Sequence, residues 1–150
     1  MELTEHRSLA IDAYNQAWDL SKSPRTPARD RELLTLAFQS RAHWLIAGGP
    51  REHAIADWFV SRIAAMLEYP TLAIDFAKAS LLHERTSLPA WLQASLYEGL
   101  ARAHSANGDG ASRDVAIVEA RKYLALETDA DDAAVIAEQI DELLSGSLAQ

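Results

Sequence analysis

Apolar residues recur along this chain at steps of three and four, interrupted by short polar breaks. No stretch shows the alternation of apolar and polar residues that marks a strand. The pattern is clearest from Trp91 to Leu126. Leu92, Leu96, Gly99, Leu100 and Ala103 form one apolar stripe, and the other side of the same helix carries Tyr97, Ala101 and His104. Asn107-Gly108-Asp109-Gly110 ends that helix, because glycine supplies the left-handed backbone of a helix terminus. The period restarts with Ile117, Ala120 and Leu124. Two amphipathic helices joined by a tight polar turn predict an antiparallel hairpin, and each leaves one face for a neighbour to cover.

The rest of the chain extends the same scheme. A first helix is expected over about Leu3 to Ser21, burying Ala10, Ala13, Tyr14, Ala17 and Trp18. Lys22-Ser23-Pro24-Arg25-Thr26-Pro27 breaks it, and Thr26 with Pro27 suits the cap and first turn of the next. That second helix, about Ala28 to Ala47, carries Leu33, Leu34, Leu36, Ala37, Phe38, Trp44, Leu45 and Ile46 on more than one face, which predicts a central, well-covered position. Gly48-Gly49-Pro50 opens a third helix to about Glu68, with Ile55, Phe59, Ile63, Met66 and Leu67 in one stripe and Trp58, Ser61 and Ala65 in another. A fourth is expected from about Thr71 to Glu84. The sixth should be capped by Ser112 or Asp114, and the seventh, Ala130 to Leu144, by Thr128-Asp129. The expected fold is all-α: one domain over residues 1–150, an α-solenoid of antiparallel hairpins with about seven helices, the last serving as the polar terminal cap.

The hairpin beginning at Trp91 resembles a tetratricopeptide repeat. Tyr97 falls at that family's first large aromatic, Leu100 and Ala101 at its leucine and small residue, His104 at its tyrosine, and Gly108 at its turn glycine; Ala120 and Leu124 match the small and large positions of its second helix. The stretch from Gly108 to Asp114 is longer than the motif's turn, and the closing proline is missing. In the preceding hairpin only Ser61, Ala73 and Ala77 fit small positions. The segments SRAHW, ADWFVSRIAAMLEYPTLAIDFAKASL and LPAWLQASLYEGLARAHSANGD are similar to a family of small, uncharacterised bacterial tetratricopeptide-like proteins. The resemblance implies a cytoplasmic helical-repeat protein that binds a protein or peptide partner, with no catalytic role assigned.

Composition narrows the possibilities. With 49% hydrophobic residues in 150, the chain can bury a sizeable core. No run is long and apolar enough for a membrane span, and MELTEHRSLA is charged from its second residue, unlike a signal peptide. The absence of cysteine excludes disulfides, thiolate metal sites and a cysteine nucleophile. The net charge of −8 is concentrated at the C-terminal end. All 14 Lys and Arg lie at or before Lys122, and 7 of the 22 acidic residues follow Tyr123. That skew argues against nucleic-acid binding, which needs basic contacts to phosphate, and suits solubility or a basic partner.

Several residues are candidates for chemistry. In a tetratricopeptide-like stack the first helix of each hairpin lines the concave groove, which selects Trp58, Arg62, Trp91, Glu98 and Arg102 as binding residues, with Tyr97 assigned to packing. Arg41, His43 and Trp44 place polar groups in the second helix, where Arg62 can face Arg41 and where Asp57, Glu84 or Glu98 can supply carboxylates. This cluster is either an internal network fixing helix register or a grip on a carboxylate or phosphate. His53 and Asp57 share one helix face at a spacing of four and offer two metal ligands without a third. No nucleophile motif and no phosphate-binding loop is present, so no catalytic residue and no cofactor is assigned. The leading expectation is a non-enzymatic protein or peptide interaction module. The alternatives are a small-ligand-binding protein using Arg41, His43 and Arg62, and a homodimer formed through an uncovered helix face.

Overall fold

In a computed structural model describing residues 1–145, the chain forms seven helices and no strand among those residues. They are α1 (Leu3–Ser21), α2 (Pro27–Ala47), α3 (Pro50–Met66), α4 (Pro70–Ser80), α5 (Ala90–Ala106), α6 (Gly110–Leu124) and α7 (Ala130–Leu144). The breaks are chemical. Pro27, Pro50 and Pro70 each sit at a first helical turn, where a missing N–H costs nothing. The Thr26 hydroxyl accepts from the Arg29 amide at 3.0 Å, and the Asp129 carboxylate accepts from the amides of Asp131 and Asp132.

Two boundaries differ from the sequence expectation. Asp109, rather than Ser112 or Asp114, caps α6 by accepting from the Ser112 amide at 3.0 Å, so the α5–α6 connection is only Asn107-Gly108-Asp109. Gly108 takes the left-handed backbone there, with φ of 71°. The excess length read into that turn is the first turn of α6. At the other site α4 ends at Ser80, well short of Glu84. The Glu84 carboxylate accepts from the Thr86 amide and hydroxyl and from the Ser87 hydroxyl, and these bonds close a local turn in place of another helical one.

Consecutive helices pair as antiparallel hairpins, α1 with α2, α3 with α4 and α5 with α6. Each hairpin then packs on the next: α2 meets α3, both α3 and α4 meet α5, and α7 closes mainly on α5. Trp58 bridges the core around Phe59 and Ile63 to that around Leu92 and Leu96, and Trp91 links the latter to the core of α5, α6 and α7. Buried alanines dominate these junctions, among them Ala10, Ala17, Ala37, Ala54, Ala64, Ala73, Ala94, Ala101, Ala103 and Ala120. Small side chains let the backbones approach closely, and buried hydroxyls fix the register: Ser40 donates to the Ala10 carbonyl at 2.8 Å and Ser61 to the Ala73 carbonyl at 2.7 Å. The central position expected for the second helix is not found. Phe38, Leu45 and Ile46 of α2 are exposed, since α2 packs mainly on α1 and α3 and meets α4 through Phe38, edge-on to Phe76, and through Arg41.

Candidate functional site

Arg62 is the point where the odd-numbered helices converge. It extends from α3, with its guanidinium carbon 5.8 Å from the ring centre of Trp18 on α1. Glu98 and Arg102 of α5, Glu142 of α7 and Tyr14 of α1 all act on its charge. Burial and then the neighbouring Arg102 lower its pKa from the ordinary value, against the pull of the two glutamates and the tyrosine. Its Nη1 is buried with no hydrogen-bond partner among the described residues. Glu98 is 1% exposed; its Oε1 accepts two hydrogen bonds from Arg102, from Nε at 3.1 Å and Nη2 at 2.6 Å, while its Oε2 is buried without a partner among the described residues. A buried carboxylate is stable only when paired, and Arg102, one helical turn away, provides the pair.

Trp58 stands beside this group. The Cδ1–Nε1 edge of its indole ring abuts the α5 backbone at Gly99, where only a glycine leaves room, and its Nε1 is likewise buried with no partner among the described residues. Four of the five groove candidates (Trp58, Arg62, Glu98 and Arg102) therefore gather at the α3–α5 junction. Trp91 lies at the start of α5, under the Arg51 guanidinium at 5.5 Å, and its amide donates to Glu127 Oε2 at 2.8 Å. That bond ties the first turn of α5 to the loop before α7. Tyr97 stacks on Tyr123 of α6 at 5.8 Å and its hydroxyl accepts from Arg85 at 2.9 Å.

Arg41, His43 and Arg62 do not meet. Arg41 Nε donates to Asp57 Oδ1 at 2.6 Å, and its guanidinium lies 5.2 Å from the Phe76 ring centre. The other oxygen of Asp57, which is 3% exposed, accepts from His83 Nε2 at 2.7 Å. Of the three carboxylates proposed from the sequence, Asp57 serves Arg41 and Glu98 faces Arg62, while Glu84 is spent on its own turn. His43 points to α1, Nδ1 to Nδ1 with His6 at 2.8 Å, and Trp44 is buried against Ala10 and Ala56 under Arg7. His53 and Asp57 also turn to other partners, since His53 Nε2 donates to the Trp44 carbonyl at 3.0 Å. No group of three or more His, Cys, Asp or Glu is placed to hold a metal among the described residues. An open hollow beside the α3–α4 turn, lined by Glu68, Tyr69, Pro70, Thr71, Leu72 and Asp75, includes none of the candidate residues.

Sequence reasoning found no partner for His6 or His83. No spacing rule connects either to its partner, because both bonds cross between elements far apart in the chain. Gly99 did carry a signal: a glycine in the middle of an apolar helical stripe implies a close neighbour. Compared with family models, curated proteins and solved structures, the chain has no significant match in any of the three. No helix among the described residues is long and apolar enough to cross a membrane.

Proposed function

We propose that this chain is a non-enzymatic interaction module that docks a protein or peptide on the side shared by α1, α3, α5 and α7. In this reading the hairpins form a short tetratricopeptide-like solenoid acting in the cytoplasm, that side is its concave surface, and α7 is the terminal cap. One observation supports it above the others: Arg62 sits among aromatic and charged groups from all four odd-numbered helices, with a guanidinium nitrogen left unpaired. Arginine and tryptophan are the side chains that most often dominate binding energy, and here they are preorganised by packing.

The test is selection of peptides from a random display library on the immobilised chain, followed by affinity measurement of the enriched sequences. Binding to the native chain that weakens at least tenfold in Arg62→Ala, with amide-exchange protection on α3 and α5, is the expected result. Enriched peptides that bind Arg62→Ala equally well, or that protect only α2, α4 and α6, would overturn it. Self-association is a second reading, favoured by the exposed Val115 and Val118 on α6. Sedimentation giving a monomer at high concentration removes it.

A further inference from the structure

Four of the five histidines, scattered in the sequence, stand at one end of the hairpins. His6 lies at the start of α1, His43 near the end of α2, His53 at the start of α3 and His83 just beyond α4. His6 and His43 are bonded to one another and so occupy each other's Nδ1. His53 and His83 are held differently. The Asp57 carboxylate and the Trp44 carbonyl are acceptors, so His83 and His53 must each donate from Nε2. Each imidazole therefore carries a proton on Nε2, and no hydrogen bond within the described residues uses either Nδ1. Their ring centres are 5.8 Å apart, with planes inclined at 56°.

Metal-ligating histidines are held by bonds of this kind. A ligating imidazole gives its second N–H to a carboxylate or a backbone carbonyl, which sets its tautomer, orients the ring and raises its basicity. Two imidazoles sharing one tetrahedral ion, with metal–nitrogen bonds of about 2.0–2.1 Å, have ring centres roughly 5–6 Å apart, which matches the observed separation. We propose that His53 and His83 bind one divalent transition-metal ion (zinc, nickel or copper) through their Nδ1 atoms, with water completing its coordination. Imidazole favours these ions over magnesium and calcium, which prefer oxygen. The role of Asp57 changes accordingly. Rather than a ligand beside His53, it is the positioning residue behind His83, itself anchored by Arg41.

Titration of the full chain with zinc and nickel chlorides near neutral pH, followed by calorimetry and by NMR of the histidine rings, tests the assignment. One equivalent of ion binds, with the His53 and His83 ring signals perturbed. His53→Gln and His83→Gln each weaken binding at least tenfold and His6→Gln leaves it unchanged. Asp57→Asn, which keeps the shape of the side chain, weakens it about tenfold by removing the orienting charge. Circular dichroism confirms that each variant is folded, and His53→Gln carries the test if changes around Asp57 are not tolerated. The absence of saturable binding at millimolar ion overturns the proposal. So does binding that survives in the doubly substituted His53→Gln, His83→Gln chain, or that follows His6 and His43 instead.

Discussion

Replacing Gly99 with alanine asks how closely α3 and α5 approach. A Cβ at that position lies 2.7 Å from Trp58 Cδ1, 3.0 Å from Nε1 and 3.9 Å from Cγ. Carbon atoms pack best at about 3.5–4.0 Å, so the methyl group overlaps the ring and either the indole or the helix must move. The ring has little freedom, since it is packed against two clusters, around Phe59 and around Leu92. Overpacking of this kind costs about 1–3 kcal/mol. Alanine in a helix interior returns about 0.5–1 kcal/mol relative to glycine. The net expectation is a loss of about 1–2 kcal/mol, or about 3–6 °C in Tm for a chain of this size. Urea unfolding followed by circular dichroism, with an unchanged m-value, measures it. Trp58→Leu removes the obstacle, and in that background Gly99→Ala becomes neutral or stabilising, giving a coupling of about 2 kcal/mol between the two sites. A Gly99→Ala chain as stable as the native one, with no coupling to Trp58, refutes the close approach.

Asp57→Ala leaves Arg41 and His83 without their shared acceptor and is expected to cost about 3 kcal/mol in urea unfolding, the low end for a broken buried pair because Arg41 still reaches water. Glu68, at the end of α3, holds a left-handed backbone with φ of 65°, while the Tyr69 amide donates to the Ala64 carbonyl at 2.9 Å. Glu68→Gly relieves that strain at a position where glycine is the usual residue, and a gain of about 0.5–1 kcal/mol in the same assay is expected. Burial, opposed by Asp109 and aided by Lys78, lowers the His104 pKa, so the unfolded chain binds the proton more tightly. Stability therefore declines as pH falls below about 6.5, the value for an unperturbed histidine. His104→Gln shows a smaller decline than the native chain when denaturant midpoints are compared across that range.

The helices were readable in the sequence because their punctuation is local. Prolines, capping residues and three-to-four spacing act within one or two turns, and they place α1, α5 and α7 closely. The misplaced ends of α4 and α6 were decided by side chains that bond the backbone nearby, Glu84 to Thr86 and Asp109 to Ser112, where several polar residues compete for one cap. The coverage of α2 was misread for a different reason. Apolar residues on several faces give the capacity for burial, and the neighbouring helices decide how much of it is used; α1 and α3 are the main neighbours of α2, and Phe38, Leu45 and Ile46 remain exposed. The candidate site was half readable. Arg62, Glu98 and Arg102 follow from residue type and the helix face they share. Asp57 was among the carboxylates that the sequence offered to Arg41, but the partners of His43 and His53 come from other elements, and no pattern within one helix reveals them.

The two charged groups in α3 show how an alanine-rich core divides structural from available chemistry. Alanine faces pack closely but interlock little, so a helix resting on them can slide or rotate at small cost unless something directional fixes it. Asp57 provides that fixing. Both of its oxygens are engaged, one by α2 through Arg41 and one by the segment after α4 through His83, and the three elements are locked in one register. Arg62, further along the same helix, lacks this completeness: its Nη1 and the Oε2 of Glu98 are buried without partners among the described residues, while Arg102 spends two donors on a single oxygen. An unmade hydrogen bond in a buried position costs about 1–3 kcal/mol, which the fold carries at Arg62 and avoids at Asp57. Full pairing is what a structural lock needs, whereas the unspent donor of Arg62 and acceptor of Glu98 are sealed from solvent and meet a partner's polar groups only if neighbouring side chains shift on docking. Asp57 is therefore the residue whose loss should weaken the fold, and Arg62 the one whose loss should leave stability largely intact with its proposed docking surface disabled.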